Sequence, residues 1–243
     1  MLRFFRTLRQ RLLAENRLSK YLLYALGEIV LVMIGILLAL QVNAWNEGRK
    51  DRRYERKMLG ELLEDMKLDT AILNIQFRRI DWFSQTLDLL DAQPGSWDDL
   101  DPESIQLFGG VYFVQNTKAV ESLKASSVQV PFDDGLRKQI NAHYHNARFY
   151  LDLLAMEDKN FSEFRSIPLL KSQFKIERNP DSENFDITPV PVDFQATLNS
   201  REFRDYLLLR RSRVHRWRWA YERIYASTLQ CMDSIASYLT PAP

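Results

Sequence analysis

The sequence is poor in the residues that cross-link or interrupt a small fold. Its single cysteine, Cys231, excludes an intrachain disulfide framework and a thiolate metal cluster. Eight glycines and nine prolines in 243 residues disfavour a turn-rich all-β fold. Charge of one sign is not in excess either, because 33 basic and 32 acidic residues leave a net charge of +1. That balance disfavours nucleic acid as a partner.

Common catalytic and cofactor motifs are also missing from the sequence. We find no H-E-x-x-H, Walker loop, G-x-G-x-x-G or G-x-S-x-G pattern. His143 and His145 are two positions apart, so a helix would point them to different sides, whereas helical metal pairs need a spacing of three or four. We therefore expect no cofactor, no metal site and a role other than catalysis.

The most informative feature is an apolar run near the N-terminus. Residues 21–40 contain one charge, Glu28, and as a helix they would span about 30 Å, the thickness of a bilayer's hydrocarbon core. Aromatic residues suited to the two membrane interfaces flank the run, namely Tyr21, Tyr24 and Trp45. The pattern predicts a transmembrane helix over 21–42. A buried core helix and a cleaved signal peptide are the alternatives, and the length of the run favours an uncleaved anchor.

The orientation of the predicted membrane helix is judged from the two segments that flank it. Residues 1–20 and 43–57 each hold six basic residues, so the count of positive charge ties. A short N-terminal tail usually stays inside. We therefore expect a basic amphipathic segment at 1–20 in the cytoplasm and an extracytoplasmic domain over 43–243.

Glu28 is the only charge in the apolar run, and it shares a helix face with Gly35 and Ala39. Small residues allow helices to approach closely, so this face predicts packing of the membrane helix into a homo-oligomer. Two alternatives remain open at this point. Glu28 could reach the headgroups, or a ring of Glu28 residues could line a cation path in a channel-like oligomer.

The N-terminal residues also resemble a known family. The quoted stretches are Phe4-Phe5-Arg6 with Arg9, Tyr24 with Gly27-Glu28, Ile34 to Gln41, and Asn43 with Trp45-Asn46-Glu47. They are similar to the signature of an uncharacterised, domain-of-unknown-function family of single-pass bacterial membrane proteins common in Bacteroidetes. Thr117–Ser127 and Leu136–His145 fit the family more loosely. The resemblance implies a membrane location and helical architecture, and it implies no catalytic residues. Because the family is bacterial, the resemblance also implies an inner-membrane location with a periplasmic domain over 43–243.

The remainder of the chain is periodic with the spacing of helices. An apolar residue recurs every seven positions from Leu59 to Leu87, which predicts a long helix over about 47–92. Polar Asp69 and Gln76 interrupt this stripe and favour a bundle helix over a strict coiled coil. We also predict short helices from Pro102 to about 113 and over 117–124, and long helices over 134–166, ended by Pro168, and 200–239.

Together these elements predict an all-α protein, with a helical bundle following the membrane helix. A small hairpin is expected from the alternation in FKIE and FDIT, within 167–192. Seven acids against three bases over 58–92, and eight arginines over 201–223, predict that the first bundle helix lies beside the last.

One enzymatic alternative rests on Arg210 and His215. Their spacing is similar to the Arg-x4–6-His pattern of HEPN-type helical ribonucleases, in which His215 would serve as general acid or base and Arg210 would steady the phosphate.

We favour an oligomeric scaffold, accessory or sensor-like interaction protein. Its expected partners are the lipid bilayer, further copies of itself and an unidentified membrane or periplasmic protein.

Overall fold

The structure is a computed structural model of the chain, and it describes residues 18–92, 94–97, 107–125, 133–178 and 187–240. The chain divides into two compact units, Met1–Glu55 and Arg56–Pro243. The first helix, α1 (Leu18–Asp91), contributes residues to both units. The predicted membrane helix and the predicted helix over 47–92 are therefore one element. No proline separates them, and Asn43 donates a hydrogen bond to Glu47 across one helical turn at their junction.

Between residues 22 and 42 of the first unit, α1 is apolar on nearly every side, and its large apolar side chains are exposed. None of the most apolar part of this helix is buried against other parts of the protein. Fourteen large hydrophobic side chains are exposed here: Leu22, Leu23, Leu26, Ile29, Val30, Leu31, Val32, Met33, Ile34, Ile36, Leu37, Leu38, Leu40 and Val42. Among the described residues, this is the one helix long and apolar enough to cross a membrane.

In the second unit, α1 is amphipathic and its apolar stripe is buried. The stripe predicted at seven-residue spacing is almost fully inaccessible, at Leu59, Met66, Leu73, Ile80 and Leu87. Asp69 and Gln76, which interrupt the stripe in the sequence, are buried with it. The helix ends at Asp91, as the sequence predicts.

The second bundle helix, α3 (Asp134–Phe161), follows the short α2 (Lys118–Ala125). The Asp133 carboxylate caps α3 by accepting a hydrogen bond from the backbone N–H of Leu136. The prediction that Pro168 ends this helix is wrong. A π-helical turn, Ser162–Ser166, continues the helix into α4 (Ile167–Gln173), and Pro168 lies in the first turn of α4.

The predicted hairpin is present and short. Strand β1 (Phe174–Arg178) pairs antiparallel with β2 (Ile187–Pro191), with Ile176 opposite Pro189. The FKIE half of the prediction is confirmed, and residues 185 and 186 of FDIT lie outside the described residues. A further short helix, α5 (Phe194–Asn199), follows the hairpin and was not predicted.

The last helix, α6 (Arg201–Leu239), matches its predicted bounds, and the Ser200 hydroxyl caps it by accepting from the N–H of Phe203. Its apolar face packs Trp217 and Tyr221 against α1 and the segment before α2. The predicted pairing of acidic α1 with basic α6 is confirmed. Arg211 contacts Asp88 and Asp91 at 2.7 and 2.6 Å, and Arg218 pairs with Asp81.

One predicted helix is absent where the structure describes it. The sequence predicted a helix to about residue 113, but residues 107–108 form a single tight turn and residues 109–117 are not helical. From Val111 to Gln115 the side chains alternate between buried and exposed, which is the period of an extended chain. We call Val111–Gln115 the extended segment. The all-α class is confirmed, although the hairpin and the extended segment are not helical.

Candidate functional site

The residues predicted to pack the membrane helix lie on one face of α1. Successive residues of a helix are about 100° apart, so Gly35 and Ala39 fall within about 20° of Glu28. The side chain of Glu28 is half-buried, and Gly35 and Ala39 are exposed. A Cβ placed on Gly35 would meet nothing within 4 Å, so this face has room for a second helix.

The predicted interface aromatics are described only in part. The side chains of Tyr21 and Tyr24 lie outside the described residues, as does the predicted amphipathic segment up to residue 17. Trp45 is exposed, and the guanidinium of Arg49 lies 5.0 Å from the centre of its ring. An exposed indole beside a cation is the combination that membrane interfaces favour.

The structure does not bring Arg210 and His215 together into a catalytic pair. Arg210 is 2% exposed, with its guanidinium 4.8 Å from the rings of both Phe83 and Trp217. His215 is exposed on another side of α6. Five helical positions separate the two residues by about 140°, so a phosphate that touched His215 would not reach Arg210.

Instead, Arg210 belongs to a set of α6 side chains that hold the segment before α2. The hydroxyl of Tyr206 donates to the carbonyl of Leu107 at 3.0 Å, Arg210 donates to the carbonyl of Gly109, and the hydroxyl of Tyr221 donates to the carbonyl of Val111 at 2.7 Å. Three carbonyls between residues 107 and 111 therefore accept from α6 side chains, which hold this stretch against α6.

A buried ion-pair network lies on the same helix. Arg213 pairs with Glu157 and Asp158 of α3, and the indole N–H of Trp217 donates to Asp158 at 3.0 Å. The side chains of Arg213 and Asp158 are each 9% exposed. Opposite charges with nearly all their hydrogen bonds made can be buried at low cost, so this network fixes α3 against α6.

A second buried polar cluster surrounds Asp69 of α1. One oxygen of its carboxylate accepts from the backbone N–H and the side-chain amide of Asn116, at 2.9 and 2.7 Å. Among the described residues, the other oxygen and the hydroxyl of Tyr144 make no hydrogen bond. Burial raises the pKa of Asp69 to about 6, despite the two hydrogen bonds from Asn116.

His143 of α3 makes hydrogen bonds to two other parts of the bundle, the extended segment and α6. The amide of Gln115 lies 3.1 Å from Nε2, and the Ser227 hydroxyl lies 3.0 Å from Nδ1. Because an amide nitrogen can only donate, Nε2 accepts and Nδ1 carries the proton. Burial lowers the pKa of His143 to about 4, so the ring is neutral at physiological pH. His145, which the sequence grouped with it, is exposed.

A groove of about 990 Å³ opens between the extended segment, α2 and α3. We call it the α3 groove and define it by Tyr112, Phe113, Val114, Val120, Leu151 and Ala155, which line it. Tyr112 and Val114 are 65% and 79% exposed, although both are apolar in most of their area. Charged side chains of both signs stand at its rim, namely Glu121, Lys124, Arg148 and Asp152.

The sequence analysis missed this groove because it assigned the residues before 113 to a helix. The run Gly110-Val-Tyr-Phe-Val is β-branched and aromatic, which was the available signal for an extended chain. As for metals, the described part of the chain contains no cluster of three or more His, Cys, Asp or Glu side chains able to hold an ion.

Comparison with known families gives one match. Residues 28–119 match the model of a family of unknown function (DUF6090). The predicted resemblance to an uncharacterised family is therefore confirmed. The matched region takes in most of the exposed apolar stretch, the buried stripe of α1 and the extended segment. No curated protein and no solved structure matches the chain.

Proposed function

We propose that this protein is a single-pass inner-membrane protein that displays a helical bundle in the periplasm and acts there by binding other proteins. In this proposal residues 1–20 are cytoplasmic, 21–42 cross the bilayer and 43–243 are periplasmic. The observation that carries it is the stretch from Leu22 to Val42, where fourteen large apolar side chains have no protein cover. In water this stretch would be an aggregation site, whereas lipid is the solvent that suits it.

We favour a binding role over catalysis because the buried charged groups of the bundle are bonded to other groups of the protein. The buried charged groups Arg210, Arg213 and Asp158 are engaged with carbonyls, carboxylates and the indole N–H of Trp217. Such contacts hold the helices and the stretch before the extended segment in place, and they leave these groups unavailable to a substrate. The open α3 groove, in contrast, offers apolar surface to a partner.

Membrane extraction combined with a reporter fusion tests the anchor and its orientation. With alkaline phosphatase fused after Pro243 in a bacterial host, we expect the protein to stay in the membrane pellet after alkaline carbonate and the phosphatase to be active. Release into the carbonate supernatant would contradict the membrane helix. Retention with inactive phosphatase would contradict the orientation.

We further propose that copies associate through Glu28, Gly35 and Ala39. Gly35→Leu places a bulky side chain on this face and should convert an oligomer to monomer in analytical ultracentrifugation in detergent. Gly27→Leu is the matched control, since Gly27 lies about 80° from Gly35 around the helix and its Cβ position is equally open. A monomeric wild type, or equal effects of the two substitutions, would contradict the packing face.

A further inference from the structure

The extended segment has one bonded edge and one open edge. In an extended chain, the N–H and C=O groups of successive residues point to opposite edges, so those of every second residue share an edge. The carbonyl of Val111 accepts from the hydroxyl of Tyr221 of α6, so the edge to which Val111 belongs is the bonded one. The backbone groups of Tyr112 and Val114 belong to the other edge. They make no hydrogen bond with any residue that the structure describes.

This open edge adjoins the α3 groove, because four consecutive residues of the segment, 112–115, line it. Along its other wall, the groove follows α3 from Asn141 to Ala155, which is about 21 Å at 1.5 Å per residue. An extended peptide of about six residues has the same length at 3.3 Å per residue. The groove therefore matches a short strand in length, and its apolar lining includes Val120, Leu151 and Ala155.

The segment is also held in the conformation that a partner strand would need. Asp69 accepts from the N–H of Asn116 at 2.9 Å, and Asp65 accepts from the N–H of Ala119 at 2.9 Å. At its other end the Tyr221 hydroxyl holds Val111. Binding to a strand that is already fixed at both ends avoids the entropy cost of ordering it.

From these observations we propose that the α3 groove binds an extended segment of a partner protein, which adds as a β-strand to the open edge at Tyr112 and Val114. This inference deepens the proposed binding function by naming its surface and the chemistry of its partner. The lining favours apolar side chains at every second position of the peptide. The rim carries acids and bases in equal number at Glu121, Asp152, Lys124 and Arg148, which favours a peptide of low net charge.

Peptide is favoured over a lipid chain because of the backbone groups. A lipid tail would cover the apolar lining and leave the N–H and C=O groups of Tyr112 and Val114 without partners in an apolar setting, which is costly. A peptide strand satisfies both the lining and the edge. Binding of a second copy of this chain at the same surface would appear as self-association instead of peptide capture.

The test uses the full-length protein in lipid nanodiscs and a phage-displayed library of random ten-residue peptides. Enriched peptides are synthesised with a fluorophore and titrated by fluorescence anisotropy. Val114→Pro removes the N–H at the open edge, and Val114→Thr is the matched control because it keeps that N–H. We expect Val114→Pro to bind roughly tenfold more weakly and Val114→Thr to bind within about twofold of the wild type.

A second measurement does not depend on how well Val114→Pro folds. Each backbone amide of the best peptide is N-methylated in turn, and we expect a loss of affinity at every second position, because a strand presents alternate amides to its neighbour. An absence of enriched peptides, equal binding to both variants, or an N-methyl scan without this alternation would overturn the proposal. None of these outcomes affects the carbonate extraction, so failure of the groove and failure of the membrane anchor are distinguishable.

Discussion

Leu37 and Leu68 belong to the same helix and are almost equally exposed, at 58% and 56% of their surface, but their neighbours differ. Around Leu37 every large apolar side chain of α1 points outward. Around Leu68 the apolar residues that recur every seven positions, such as Leu59 and Leu73, are buried and the remaining face is polar. The difference shows that one helix can change its residue pattern along its length. Its first part carries apolar residues on all sides, which suits the lipid of the proposed function, and its second part carries one apolar stripe that is buried in the protein core.

The largest effects are expected when a charge is placed in each of the two parts of α1. Leu73→Asp puts a carboxylate where the side chain is fully buried, and we expect it to lower the free energy of unfolding of the bundle by more than about 4 kcal/mol. Leu31→Asp should leave the bundle's unfolding midpoint unchanged and cost membrane insertion about 2.5–3.5 kcal/mol. Near-UV circular dichroism during urea titration measures the first effect, and carbonate extraction the second. Equal loss of bundle stability in both variants would contradict the division of α1 into an exposed apolar part and an amphipathic part that belongs to the bundle.

Within the bundle, the buried ion pairs should matter far more than the exposed ones. Asp158→Ala leaves Arg213 with one carboxylate partner and removes the acceptor of the Trp217 N–H, so we expect a loss of about 3–5 kcal/mol. Asp81→Ala removes an exposed partner of Arg218 and should cost no more than about 1 kcal/mol. Urea unfolding monitored by tryptophan fluorescence compares the two. A similar cost for both would show that burial does not set the strength of these pairs.

Asp69 and His143 each make the free energy of unfolding of the bundle depend on pH. Their two contributions have opposite signs and nearly cancel. Native Asp69 keeps its proton up to about pH 6, against 3.8 for an ordinary aspartate, so its contribution to the free energy of unfolding falls as the pH rises from 4 to 6. Native His143 stays unprotonated down to about pH 4, whereas an ordinary histidine has a pKa of 6.5. Its contribution to the free energy of unfolding therefore rises over the same interval. We therefore expect these two slopes to oppose each other in the wild type.

Removing one group exposes the slope of the other. Asp69→Asn should make stability rise by roughly 2 kcal/mol more than in the wild type between pH 4 and 6, and His143→Gln should change the slope in the opposite direction. Asp65 and Tyr144 also face Asp69, so the comparison is made between variants at each pH. Urea midpoints at pH 4, 5 and 6 supply the data. Parallel pH profiles for the three proteins would contradict the assigned pKa directions.

The smallest effect is expected on the surface between α1 and α6. Arg211→Gln removes two exposed contacts, to Asp88 and Asp91, and should lower stability by about 0–1 kcal/mol at low salt. The difference from the wild type should shrink in 1 M salt, because exposed charges are screened there. A loss that persists in high salt would show that Arg211 acts through packing instead of charge.

The sequence predicted those parts of the fold that depend on local pattern. The stripe from Leu59 to Leu87 identified the buried face of α1, and the predicted starts of α3 and α6, at 134 and 200, agree with the observed caps at Asp133 and Ser200. Pro168 was misread because the π-helical turn before it supplies backbone geometry that no residue pattern announces. The membrane-helix packing residues Glu28, Gly35 and Ala39 stay a prediction.

The candidate groove depends on contacts that no local pattern contains. Asp69 interrupts the stripe in the sequence, and its partner Asn116 lies 47 residues away. Val111 of the extended segment is held by Tyr221, 110 residues further along the chain. The β-branched and aromatic run Gly110-Val-Tyr-Phe-Val favours an extended chain locally, but the place of that chain beside α1 and α6 is set by these long-range contacts.

The central claim is that Leu37 and Leu68, alike in exposure, face different solvents. Each is changed to cysteine in a Cys231→Ala background, labelled with a nitroxide and reconstituted in lipid vesicles. Collision of the label with oxygen, which concentrates in lipid, is then compared with collision with a water-soluble nickel chelate. The account predicts that the Leu37→Cys label meets oxygen and is shielded from nickel, while the Leu68→Cys label meets nickel freely. Equal access of nickel to both positions would contradict it.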